Sequence, residues 1–190
     1  MRTKIIGLEL ILFVLERPKK SLFRKEFVEV IKNSLCDGLL RCSVSSEQVI
    51  FKLVVSIFYC LFLYFRKYLK SIILVFIETI FLKLLDSGNS GYQYKHLILT
   101  VFDKISRNSN MLLEIFVNYD CDITQKDISE RIVESLSKIA NGRFTKSEHV
   151  NMISASEEIS LRSYSLQILV QMLRSFNGTI DAGIAEKKIS

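Results

Sequence analysis

Five consecutive residues, Asn118-Tyr119-Asp120-Cys121-Asp122, interrupt the apolar stretch IFVNYDCDIT at positions 115–124. Two carboxylates, an amide, a phenol and a thiol in a row admit three kinds of chemistry. The carboxylates could work as an acid and a base. Their oxygens could ligate a hard cation. The polar groups could also satisfy the open backbone ends of two helices. No histidine, lysine or arginine lies between Met111 and Gln125 to tune the acids, so catalysis is disfavoured. A calcium site needs more oxygen ligands than so short a segment offers. Helix ends fit best. Asn118 can close a helix in the left-handed conformation. Asp120, Asp122 and Thr124 can accept bonds from free amides at a helix start, and Thr124 with Asp127 has the spacing of a capping box, with Asp in place of Glu. Tyr119 can lay its ring on the core and send its hydroxyl to a carboxylate.

Nothing else in the chain supplies a catalytic or metal centre. Cys36, Cys42, Cys60 and Cys121 match no zinc spacing, and His96 and His149 lie far from them in sequence. Cys36 and Cys60 sit inside apolar runs, as small hydrophobes do, and a reducing compartment is expected. There is no glycine-rich phosphate loop, nucleophile elbow or HExxH pattern. The expectation is therefore no catalytic residue, no metal and no cofactor.

The elements that carry these residues are helical. The chain has 190 residues, 49% of them hydrophobic and 24% charged, with one Pro and seven Gly. Strand-rich folds need more turn residues than that. Leu8, Ile11, Leu12 and Leu15 form one stripe, which Pro18 ends. Phe27, Val30, Ile31, Ser34 and Leu35 form a second, with Gly38 near its end. Ser46 can cap a third helix to about Tyr64, and a fourth runs from about Lys67 to Leu85. Tyr94, Leu97, Ile98, Val101, Phe102 and Ile105 mark a fifth, and Met111–Val117 a short sixth. Ile128, Ile132, Leu136 and Ile139 share one face of a seventh, stopped by Asn141-Gly142. Residues 143–157 read as loop, 158–176 as the last helix and 177–190 as a frayed tail. Successive antiparallel helices, several apolar on more than one face, predict an all-α fold, an α-solenoid of the armadillo/HEAT kind. The chain begins inside a helix, so a preceding layer is expected.

The charge is uneven. The net is +6, and residues 1–83 hold 14 Lys/Arg against 7 Asp/Glu. A basic half can face anionic lipid or an acidic partner. No nucleic-acid-binding signature accompanies it, and no nucleic acid partner is expected. The charge-free run LVVSIFYCLFLYF (53–65) is shorter than the roughly 20 residues a bilayer span needs and is expected to be a core helix. Glu9 interrupts the apolar stretch near the start, which argues against a signal peptide. Asn177-Gly178-Thr179 is a glycosylation sequon of consequence only in a secreted protein.

The segment EIFVNYDCDITQKDISERIVESLSKIANG (114–142) resembles the signature segment of the large Golgi-type Arf guanine-nucleotide exchange factors, their HUS box. The likeness rests on Asn118-Tyr119-Asp120-Cys121-Asp122, Glu130-Arg131, Leu136-Ser137-Lys138-Ile139-Ala140 and Gly142. Residues 53–105 and 159–173 are similar to the family's helices before and after the box, and residues 8–42 to the end of its dimerisation region. The brefeldin-A-inhibited subgroup is the nearest likeness. The resemblance implies three parts: the end of the dimerisation region (1–45), a HUS-type helical domain (46–176) and a tail (177–190). It implies that residues 118–122 form an interaction site, with Glu130 and Arg131 on the partner surface. The implied partners are a dimerisation domain of the same or another chain, Arf- or Arl-type GTPases, and anionic Golgi membrane touched peripherally from the cytoplasm. Nothing in the chain resembles the glutamate loop of the Sec-seven exchange domain, so no exchange activity is expected from it.

Overall fold

The computed structural model describes residues 2–120, 127–143 and 153–187, and among these every regular element is helical. The chain divides into two compact units, Met1–Phe81 and Leu82–Ser190.

In the first unit α1 (Arg2–Glu16) runs alongside α4 (Gln48–Phe65). Pro18 stands two residues after the last residue of α1, where its missing N–H prevents the helix from continuing. A 3-10 turn, Lys20–Phe23, leads into α2 (Lys25–Val30), a π-helical turn (Ile31–Leu35) and α3 (Cys36–Ser43). The sequence places a helix end near Gly38, but the helix continues to Ser43. The π turn changes the phase of the buried face, so Val28 and Ile31 are followed inward by Cys36 and Leu39. That face holds the chain helical through the glycine. The next helix begins one residue later than a Ser46 cap would require: Glu47 takes the cap position without a side-chain bond to the helix. Ser45 Oγ accepts from the Glu47 amide at 3.3 Å instead.

The α4 helix is the axis of this unit. Phe51, Phe58, Phe62 and Phe65 are all buried on it. Phe58 stacks on Phe76 of α5 (Lys70–Phe76) at 5.0 Å and meets the edge of Phe81 at 4.8 Å. Phe23 stacks on Phe65 at 4.9 Å. Each such ring contributes about 1.5–3 kcal/mol by burial alone. Phe58, Phe62, Phe76 and Phe81 are all buried against protein. By length and composition α4 could also cross a membrane, and 56% of it is buried inside the protein.

The second unit holds α6 (Lys83–Asp86), α7 (Tyr92–Ser106), α8 (Ser109–Ile115), a π turn (Phe116–Asp120), α9 (Ile128–Ala140) and α10 (Ala155–Lys187). Helix α10 lies against α7, α8 and α9, burying Leu161, Ser165, Ile168 and Met172. The predicted stripe Ile128, Ile132, Leu136, Ile139 is buried on α9 as expected. Its end is a Schellman motif: the Arg143 amide donates to Lys138 O and the Gly142 amide to Ile139 O, both at 2.9 Å, with Gly142 at φ 68. Asn108 caps α8, its Oδ1 accepting from the Met111 amide at 3.1 Å. The start of α10 corrects the expected loop over 143–157. Ser154 and Glu157 form a reciprocal capping box, the Ser154 amide donating to Glu157 Oε2 at 2.8 Å. Residues 144–152 of that loop lie outside the described residues. Helix α10 extends through Lys187.

Candidate functional site

The five polar residues begin at the end of α8. The helix does not close at Asn118. It widens into the π turn Phe116–Asp120, and no described residue other than Gly142 has positive φ. The expected left-handed closure at Asn118 is therefore replaced by a right-handed turn. Such a turn adds a residue without opening the helix.

Tyr119 is 4% exposed, and burial pushes its phenol well above the ordinary tyrosine range. Its ring lies buried in the core. The π turn packs against α9, the helix that carries Glu130 and Arg131. Glu130 is exposed in its first turn, and Arg131 is half-buried with its amide bonded to Asp127 O at 3.2 Å. Asp127 occupies the cap position of α9 without a side-chain bond to the helix. Cys121, Asp122 and Thr124 lie outside the described residues. Leu113, Phe116 and Val117 beside the turn are exposed apolar side chains. The turn thus joins a buried anchor, Tyr119, to exposed apolar side chains, with Glu130 exposed on the neighbouring α9.

Sequence reasoning passed over a second polar cluster. Lys95 of α7 is 2% exposed. Its Nζ donates to Leu84 O at 3.2 Å, to Leu85 O, and to Ser87 O at 2.9 Å. One ammonium thereby satisfies the carbonyls at the end of α6. Burial pulls it down from 10.5 to about 8, while the Asp86 carboxylate favours its charge. Asp86 Oδ1 also accepts from Ser135 Oγ of α9 at 2.9 Å. The cluster ties α6, α7 and α9 together. The signal was present: Lys95 lies three residues before Ile98 and seven before Phe102, on the face that α7 buries.

The surface between α7 and α10 carries a shallow hollow of about 290 Å³ lined by His96, Ser160, Ser163, Tyr164 and Gln167. His96 sits between Tyr92 and Tyr164, 5.4 Å from each ring. Cys36 is buried, and its thiol is pushed up to about 11, which makes it a packing residue rather than a nucleophile. Among the described residues no cluster of three His, Cys, Asp or Glu is placed to hold a metal.

Helices on helices around an aromatic core, with polar side chains spent on helix ends, define an all-α packing domain. Residues 1–128 match the HUS domain of Mon2/Sec7/BIG1-like proteins. The brefeldin A-inhibited guanine nucleotide-exchange protein 1 of Rattus norvegicus is 37% identical over 175 residues, covering 92% of this chain and 9% of the relative, and that of Homo sapiens gives the same figures. The brefeldin A-inhibited guanine nucleotide-exchange protein 3 of Arabidopsis thaliana is 35% identical over 184 residues, covering 95% and 10%. The chain belongs to this HUS-domain family. It spans about a tenth of the length of the curated relatives it matches. The matched region is a non-catalytic part of them.

Proposed function

We propose that the chain is a regulatory scaffold region of an Arf guanine-nucleotide exchange factor acting in Golgi vesicle traffic. The observation that carries this reading is the HUS-domain match over residues 1–128, which includes the five residues 118–122. The helices stack as an armadillo/HEAT-like solenoid, whose role is to present surfaces to other domains. The segment 118–122, with Glu130 and Arg131, meets a dimerisation domain of the same or another chain. Tyr119 anchors the turn in the core, and Leu113, Phe116, Val117 and Glu130 supply the accessible contacts. The basic surplus of residues 1–83 suits peripheral contact with anionic Golgi membrane from the cytoplasm, and Arf- or Arl-type GTPases are further partners. The chain by itself loads no nucleotide.

The test compares Asp120→Ala with the wild type in pull-down of a family dimerisation domain and in thermal melting by circular dichroism. Weakened capture with helix content intact is expected. Undiminished capture refutes the interface, and global unfolding assigns the residue to helix capping alone.

A further inference from the structure

The first unit contains a groove of about 680 Å³ with an almost wholly apolar lining. One wall is α1, with Gly7, Leu10, Ile11 and Val14. The other is α2, the π turn and α3, with Phe27, Val30, Ser34 and Gly38. Leu10 is 62% exposed, and Phe13, next to the groove on α1, is 77% exposed. An apolar groove bordered by the exposed side chains of Leu10, Val14, Phe27 and Val30 is a candidate binding surface.

We infer that this groove receives one amphipathic helix with acidic flanks, supplied by another protein segment. Two observations select that occupant. The first is charge. Lys4 is the ionised residue of the lining, and residues 1–45 hold nine Lys/Arg against five Asp/Glu. Asp37 pairs with Arg41 at 2.9 Å, which leaves eight bases against four acids in residues 1–45. That segment's positive surplus favours a negative partner. The second is the shape of the walls. Gly7 and Gly38 lie inside helices, where glycine is a poor choice, and a Cβ at either would meet nothing within 4 Å. Internal packing does not require them. Two bare backbone positions facing open space instead let a helix approach closely. A concave cleft between two helices suits a third helix better than it suits a bilayer. The groove lies in Met1–Phe81, and its test is independent of residues 118–122.

The probe is a fluorescent synthetic helix of about 18 residues, enough at about 1.5 Å per residue to span α1. It carries Leu at i, i+3, i+4 and i+7 with Glu on both flanks, and a second version has Lys on the flanks. Polarisation with the 190-residue chain is expected to show saturable binding of the Glu helix, at least about tenfold tighter than the Lys helix. Gly38→Leu fills the groove and is expected to weaken the Glu helix by at least about tenfold, with an unchanged or higher melting temperature. Gly7→Leu, on the opposite wall, provides the same reading should Gly38→Leu fold poorly. Equal binding of the two helices, or undiminished binding by the variants, overturns the proposal. So does flotation with phosphatidylserine-containing vesicles without peptide binding, which assigns the surface to membrane. A concentration-dependent dimer abolished by Gly38→Leu assigns it to a second copy and overturns the proposal equally.

Discussion

Replacing Lys95 with Met keeps the length and apolar stem of the side chain and removes only the ammonium. Three carbonyls, those of Leu84, Leu85 and Ser87, then lose their donor. Hydrogen bonds to a charged group are each worth about 1.5–3 kcal/mol net, so the loss is about 4–9 kcal/mol before any offset. The offset is the ammonium's own burial. A fall from 10.5 to about 8 corresponds to about 3 kcal/mol at roughly 1.4 kcal/mol per unit. Lys95→Met is therefore expected to destabilise the chain by about 1–6 kcal/mol, which lowers Tm by about 2–4 °C per kcal/mol in a protein of this size. The pH dependence provides a second check. The folded state releases its Lys95 proton near 8 and the unfolded state near 10.5. Between those values the unfolded state binds more protons, so this lysine's contribution to stability rises with pH across that window and is flat below it. The wild-type advantage over Lys95→Met should widen between about pH 7 and about pH 9.5. Urea denaturation followed by circular dichroism at both pH values measures it. A variant as stable as the wild type, or an advantage that shrinks with pH, refutes the reading of Lys95 as a helix-end donor held at a desolvation cost.

Three other outcomes follow from the packing and from the family. Phe62→Ala removes a ring that is 1% exposed in α4 and should cost about 3–5 kcal/mol, whereas a Tm within a degree or two of wild type contradicts the core assignment. Ser165 Oγ is buried without a hydrogen-bond partner, so Ser165→Ala should raise stability by about 1 kcal/mol in the same denaturation assay. Purified chain should not accelerate GDP release from Arf GTPases, and saturable acceleration above the uncatalysed rate contradicts that.

The helices were legible where periodicity and burial coincide. Ile128, Ile132, Leu136 and Ile139 share a face by spacing and are buried together on α9, and Asn141-Gly142 supplied the stop that Gly142's positive φ realises. Breaks in the period were not legible. A π turn adds one residue without any signature of its own, so the continuation through Asn118 and past Gly38 was hidden behind residues that commonly end helices. Ser154 and Glu157 had the spacing of a capping box but stood in a polar stretch that read as loop. Lys95 was legible only in retrospect, because a charged residue on an apolar face normally counts against burial. At residues 118–122 the letters gave the likeness to the family, while the burial of Tyr119 needed three dimensions.

The scaffold reading is tested most directly by calorimetric titration of the 190-residue chain into a purified dimerisation domain of a brefeldin-A-inhibited exchange factor. Saturable binding near one-to-one stoichiometry is expected, and it should persist when the chain is shown in parallel to leave GDP release from Arf unchanged. No heat of binding at protein concentrations where both partners remain folded would contradict it.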